Sequence, residues 1–213
     1  MTWRSHLLFW FTIWLMALLA LPLLLPIEMQ TNRIYTEIAR TSDVFGKAKA
    51  DEITMEASET YKALFISTGY LSENNPTYTK PQNINNGTAI LDGPAQVFSR
   101  ATNSYLTNLS VNVYGMLVRW GVVSHWMLFI FPFVLAAFID GFVIRKIKFS
   151  EFGFISPMAY SISLHFIIFI AFIPMLYLIA PLPITPYFMP GWALCIGLPI
   201  MLMISNTQRL LGS

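Results

Sequence analysis

The chain has 213 residues, of which 55% are apolar and 11% charged, with a formal net charge of +2. Soluble domains carry about twice that charged fraction, and a soluble chain this apolar would expose patches large enough to aggregate, whereas a bilayer solvates the same side chains. The small net charge, with no basic run in the polar region, excludes the electrostatic footprint of a nucleic-acid binder, and the single cysteine, Cys195, excludes an intramolecular disulfide and a Cys-x-x-Cys site.

A membrane helix needs about 20 mostly apolar residues. The first stretch of that length runs from about Leu7 to Ile27, behind Arg4. It is longer than the roughly 7–15 residues of a signal-peptide core, and no Ala-x-Ala-like site follows it, so an uncleaved anchor is expected.

Residues 28–121 are polar, with eight basic and nine acidic side chains in near balance. From Thr31 to Ile66 the spacing predicts one helix. Ile34, Ile38, Phe45, Ile53, Ala57, Tyr61 and Leu64, with the stem of Lys49, form its apolar stripe. Glu37, Arg40, Asp43, Asp51, Glu52, Glu56 and Glu59 are expected on the wet faces, and Gly46 is a weak point, costing about 1 kcal/mol relative to Ala. A loop follows over 70–93, rich in Asn, Pro and Thr, with a tight-turn signal at Asn86-Gly87. Its two readings are a partner contact and a passive mobile loop.

Pro94 then suits the first position of a second helix, because its fixed φ is helical and its missing N–H is not needed there. Val97, Ala101, Tyr105, Leu109, Val113 and Met116 recur every three or four residues and lead into a second apolar span over 122–144. The two polar-region helices predict an antiparallel hairpin whose arms continue spans one and two without a break. An unbroken arm of about 36 residues would reach roughly 50 Å.

A short basic link over 145–157 carries Arg145, Lys146 and Lys148 against Glu151. Spans three and four fall within 158–204, and a tail over 205–213 carries Arg209. The turn between spans three and four, PLPITP, has no charge. With four spans the N-terminus, the basic link and the tail share one face, which the positive-inside rule makes cytoplasmic. Trp3, Trp120, Trp126, Tyr160, Tyr187 and Trp192 sit near span ends, where amphipathic rings settle. The predicted architecture is therefore all-α, with four transmembrane spans and a helical hairpin on the periplasmic side.

No phosphate-binding glycine loop, His-Glu-x-x-His helix or Gly-x-Ser-x-Gly elbow occurs, so neither catalysis nor a cofactor or metal is expected. Four charged residues near the end of span two, Asp140, Arg145, Lys146 and Lys148, form a candidate partner-docking or interfacial charge cluster. Asp140 would pair with Arg145, if Gly141 loosens the helix, or with Lys146. His125 and His165 are candidate intramembrane polar contacts. Their depths favour helix–helix hydrogen bonds over a relay joining them.

The C-terminal half, from about 110 to 210, resembles a family. Arg119-Trp120 through His125, then FVLAAFIDGFVIR over Phe133–Arg145, a basic link, an aromatic-rich third span and PLPITPYFMPG are similar to membrane proteins of integrating conjugative elements. Those are TraJ-like proteins of SXT elements and H plasmids. The link here, RKIKFSEFGFISPMAY, departs from the family's Arg-rich form. The resemblance implies a non-enzymatic component of the bacterial inner membrane, acting in conjugative DNA transfer through a type IV secretion channel. It also implies the coupling ATPase, other channel membrane proteins and lipids as partners, with the ATPase handling the DNA. Homo-oligomerisation is compatible with this picture. Two alternatives of different class are a periplasmic ligand sensor of helical-bundle type and an exclusion or membrane-assembly factor.

Overall fold

A computed structural model describes residues 3–68 and 94–207. The loop expected over 70–93 and the tail with Arg209 lie outside the described residues. All described secondary structure is helical. It comprises α1 (Trp3–Leu24), α2 (Ile27–Phe45), α3 (Lys47–Tyr61) with a π-helical turn over Lys62–Ile66, α4 (Pro94–Ser150), α5 (Pro157–Ile179) and α6 (Phe188–Ser205). Four of these helices, α1, α4, α5 and α6, are long and apolar enough to cross a membrane.

Two compact units are recognisable. One consists of residues 1–14, 123–177 and 186–213, the other of residues 15–122 and 178–185.

In the first unit, α1 lies along α5 in the same direction. His6 meets His165 at 5.1 Å between ring centroids. Trp10 packs on Phe169 and Phe172 at 5.5 and 6.2 Å, and Trp14 Nε1 donates to Met175 O at 2.8 Å. Likewise α4 lies along α6. A Cβ on Gly197 would touch Phe133 at 3.2 Å and Ala137 at 3.6 Å, and one on Gly141 would press on Ile204 at 2.9 Å. Close approach at small residues is how membrane helices gain packing energy where lipid supplies no hydrophobic drive. The first and third apolar helices thus run parallel, as do the second and fourth. Large apolar side chains such as Leu8, Leu128, Phe131 and Leu198 point outward, as expected where lipid is the solvent. Pro132, Pro174 and Pro199 lie inside helices.

In the second unit the expected 31–66 rod is broken once, and it is also cut off from span one. Pro26, extended at φ −60° and ψ 145°, separates α1 from α2, so the first arm does not continue span one. Gly46, at φ 83° and ψ 157°, ends α2 and starts α3. That backbone region is essentially open to glycine alone, and the weak point in the sequence is the corner of a fold-back. α2 and α3 pack on each other, and α4 packs on both. Its Gly115 meets Arg33 and Ile34 of α2, while its Gly121 and Tyr114 meet Ile53 and Tyr61 of α3. The contacts ascend together for α2 (Arg33 with Gly115, Glu37 with Arg119) and in opposite order for α3. The hairpin is therefore α2–α3, with α4 as a third helix. At 1.5 Å per residue its arms reach roughly 28 and 23 Å, not 50. The second expected arm does continue unbroken into span two, as α4.

Gly46→Ala should lower the stability of the detergent-solubilised protein by about 1–3 kcal/mol, since alanine is strained at that φ and ψ. An unchanged melting temperature would show that the corner tolerates a side chain.

Candidate functional site

The most concentrated polar chemistry lies in the second unit, where α2 and α4 meet the turn between α5 and α6. The turn's backbone creates a demand for donors. The last carbonyls of a helix have no partner of their own, and Pro181, Pro183 and Pro186 contribute no N–H with which to continue α5. Three arginines supply what is missing. Arg119 Nη1 donates to Leu178 O at 3.2 Å and Ala180 O at 2.8 Å, and its Nη2 to Leu182 O at 2.8 Å. Arg33 Nη1 donates to Ala180 O at 2.9 Å, and Arg40 Nη1 to Pro183 O at 2.6 Å. Cations at a helix C-terminus also meet the negative end of its dipole.

Glu37 supplies the counter-charge. Arg119 Nε reaches Oε2 at 3.0 Å and Oε1 at 3.2 Å, and Nη2 also bonds Oε1. Both residues are buried, with side chains 1% and 5% exposed. Ile184 N–H adds a longer contact to Oε1 at 3.4 Å. All five N–H donors of the Arg119 guanidinium are thus engaged, the condition under which a buried pair can offset its desolvation.

The cluster carries more positive charge than negative. Arg33 is buried beside Arg119, and its Nε and Nη2 have no hydrogen-bond partner among the described residues. Burial first, and then the Arg119 charge, bring its pKa down to about 10, against a smaller pull upward from Glu37. It stays cationic at neutral pH, held at an electrostatic disadvantage. Gly115 makes the packing feasible, because a Cβ there would lie 2.5 Å from Arg33 Nη2. The two polar atoms of the buried Asn112 amide also lack partners among the described residues.

The buried stripe of α2 is consequently polar: Gln30, Arg33, Glu37 and Thr41, with Ile34 the only large apolar member. Glu37 was expected in water, and Ile38 in the core is only half-buried. On α4 the buried positions include Ser110, Asn112 and Arg119 beside Leu106, Val118 and Val122, while Tyr105, Leu109, Val113 and Met116 are half-buried. Hydrophobic periodicity finds a helix but assumes that its apolar side faces inward. Here the donor demand of the 178–185 turn turns the polar side inward instead. In α3 the expected Ile53 and Ala57 are buried, joined by Ala50 in place of Lys49.

The residues singled out near span two are placed differently. Asp140 is exposed and forms no ion pair with Arg145, since α4 runs straight through Gly141 and positions five apart face different ways. Arg145 lies over the Phe149 ring at 5.5 Å. Lys146 is exposed, and Lys148 Nζ donates to Asn206 Oδ1 at 2.9 Å. The same oxygen accepts Ser156 N–H at 3.2 Å, and Asn206 Nδ2 donates to Leu202 O at 2.8 Å. Buried Asn206 thus ties together the ends of α4 and α6 and the start of α5, a role that an asparagine near the chain's end does not advertise. His165 is paired with His6, and His125 with Phe129 at 6.3 Å. Among the described residues no group of three or more His, Cys, Asp or Glu could hold a metal. The arrangement at Arg119 offers a clamp rather than a reacting centre.

A family model described as DtrJ-like, IncC plasmid conjugative DNA transfer protein DtrJ-like, matches residues 28–210, and the chain belongs to that family. No curated protein and no solved structure matches it.

Arg119→Met and Glu37→Gln should each lower stability by about 3–5 kcal/mol, because the first strips the donors from three turn carbonyls and breaks the buried ion pair, and the second leaves two buried arginines without a counter-charge. The double variant should lose clearly less than the sum. Arg33→Met should be far milder, since it removes the surplus cation. Thermal unfolding in mild detergent measures all four; equal losses for Arg33 and Arg119 would contradict this charge balance.

Proposed function

Given membership of a conjugative DNA transfer family, we propose that the chain is a non-enzymatic inner-membrane subunit of the conjugation apparatus that partners the coupling ATPase. The observation that carries this reading is the family match, which covers α2 to α6 and so includes three of the four apolar helices. The division of labour follows from chemistry. The chain has no phosphate-binding loop and no basic strip for DNA, so energy and DNA handling fall to the partner. This chain supplies membrane helices and a clamped polar unit.

Orientation in this proposal follows charge. Arg145, Lys146 and Lys148 mark the cytoplasmic face, which places the α2–α3 hairpin, the 178–185 turn and the Arg119 clamp on the periplasmic side. Both chain ends are then cytoplasmic. The face with Asp140, Lys146 and the 151–156 link is the one available to a cytoplasmic ATPase.

One observation favours a second reading, a periplasmic ligand sensor. A groove of about 430 Å³ lies between α2, α3 and α4, with Tyr35, Tyr61 and Tyr114 on its walls and Lys62 at its edge. Stabilisation of the full-length protein by a small molecule, abolished by Tyr61→Ala, would support it.

Two measurements test the main reading. The coupling ATPase should co-purify with the full-length protein in mild detergent, and deletion of the gene should lower transfer at least tenfold with recovery on complementation. Normal transfer without the protein, and no channel component co-purifying, would reject the proposal. Reporter fusions after Lys148 should read cytoplasmic and those near Asn86 periplasmic; the opposite pattern would invert the orientation.

A further inference from the structure

The link between α4 and α5 has a feature that neither the clamp nor family membership explains. Residues 151–156 present two phenylalanines almost wholly to the surroundings: Phe152 is 98% and Phe154 81% exposed, with Met158 following at 72%. Phe152 also has φ +52°, a left-handed conformation that is an outlier for a bulky side chain and persists only where the surroundings impose it. The surroundings do so here. Glu151 N–H donates to Ile147 O at 2.9 Å and Gly153 N–H to Lys148 O at 2.7 Å, while Asn206 Oδ1 accepts the Ser156 N–H. A Cβ on Gly153 would sit 3.3 Å from the Lys148 backbone, so a glycine permits the close return. The backbone is thus pinned in a strained turn that directs both rings away from the protein.

Length fixes where this turn lies. α5, with 23 residues, is about 35 Å long, against a hydrocarbon core of roughly 30 Å. If α5 spans the bilayer, Pro157 is at or just beyond the hydrocarbon boundary and the link lies among the headgroups. Charge fixes what surrounds it. From Asp140 to Met158 there are three cations, Arg145, Lys146 and Lys148, against Asp140 and Glu151. Lys148 is committed to Asn206, whereas Lys146 is exposed and no hydrogen bond or ion pair engages it among the described residues.

We propose that the 151–156 link is a membrane anchor for anionic phospholipid. Phe152 and Phe154 insert at the boundary between acyl chains and headgroups, and Lys146, with Arg145 beside it, holds the lipid phosphate. Exposed aromatic rings next to cations are the pattern of segments that lie in a bilayer interface and favour anionic lipid. The strained turn sets the rings at that depth in advance. This inference rests on reading α4 and α5 as spans, and does not depend on which face of the membrane the link occupies.

Full-length protein with Cys195→Ser carries a nitroxide label at Phe154→Cys, and separately at Phe166→Cys on the outward side of α5, in nanodiscs of phosphatidylcholine alone or with phosphatidylglycerol. The label at 154 should be more accessible to oxygen than to an aqueous nickel chelate, and more so with phosphatidylglycerol. Native mass spectrometry of the label-free protein should show preferential retention of phosphatidylglycerol, falling about tenfold in Phe152→Ser/Phe154→Ser and losing its anionic preference in Lys146→Gln. A water-accessible label at 154 beside a lipid-accessible one at 166 would overturn the anchor alone. Water accessibility at both would overturn the span reading. A label at 154 that stays aqueous in both lipids and is immobilised only when the coupling ATPase is added would assign the surface to a protein instead, and the lipid proposal would fall.

Discussion

The turn over 178–185 has more backbone acceptors than its own backbone donors can satisfy, and much else in the polar unit follows from that shortage. Prolines at 181, 183 and 186 end α5 and withhold donors, leaving the carbonyls of residues 178, 180, 182 and 183 to be met by side chains. Arginine suits this work because its planar fork reaches several acceptors at once and remains charged under all ordinary conditions. Once Arg119 is buried to reach three of those carbonyls, a buried carboxylate is needed, and Glu37 provides it. α2 must then turn its polar side inward, and Gly115 must be small enough to let it approach.

A second constraint is the solvent. In water, the outward-facing Leu8, Leu128, Phe131 and Leu198 would drive aggregation. In lipid they are ordinary, and packing must come from close approach and hydrogen bonds instead. Gly141 on Ile204, Gly197 on Phe133 and Trp192 Nε1 on Ile170 O at 2.7 Å are contacts of that kind. The two units therefore follow different rules. One packs small residues between apolar helices; the other packs charge against carbonyls.

Most of the helical content was legible from composition and length, because roughly 20 apolar residues have few other fates. Pro94 as the start of α4 was legible for a local reason, its preset φ. Gly46 was legible as a weakness but not as a corner, since the deciding contacts of Tyr61 with Tyr114 and Ile53 with Gly121 lie about 50 and 70 positions apart in the chain. The break at Pro26 lay in plain view and was absorbed into an over-long first span. The clamp was hidden for a deeper reason. Arg33, Glu37 and Arg40 fall on one side of α2, which reads as a solvated face until the carbonyls of a turn some 140 residues away are brought to it. The signal available in advance was the pairing of a proline-rich, donor-poor turn with an arginine at the mouth of a span. Asp140 and Arg145 are the converse case, neighbours in sequence that an unbroken helix holds on different faces.

Arg119, neutralised by Glu37, holds the 178–185 turn in place. Amide hydrogen exchange on the full-length protein in nanodiscs tests it most directly, comparing wild type with Arg119→Lys, which keeps the charge but loses the fork. Exchange across the amides of 178–185 should accelerate at least tenfold in the variant while the amides of α6 keep their protection. Unchanged protection of that turn would show that the Arg119 fork does not hold it.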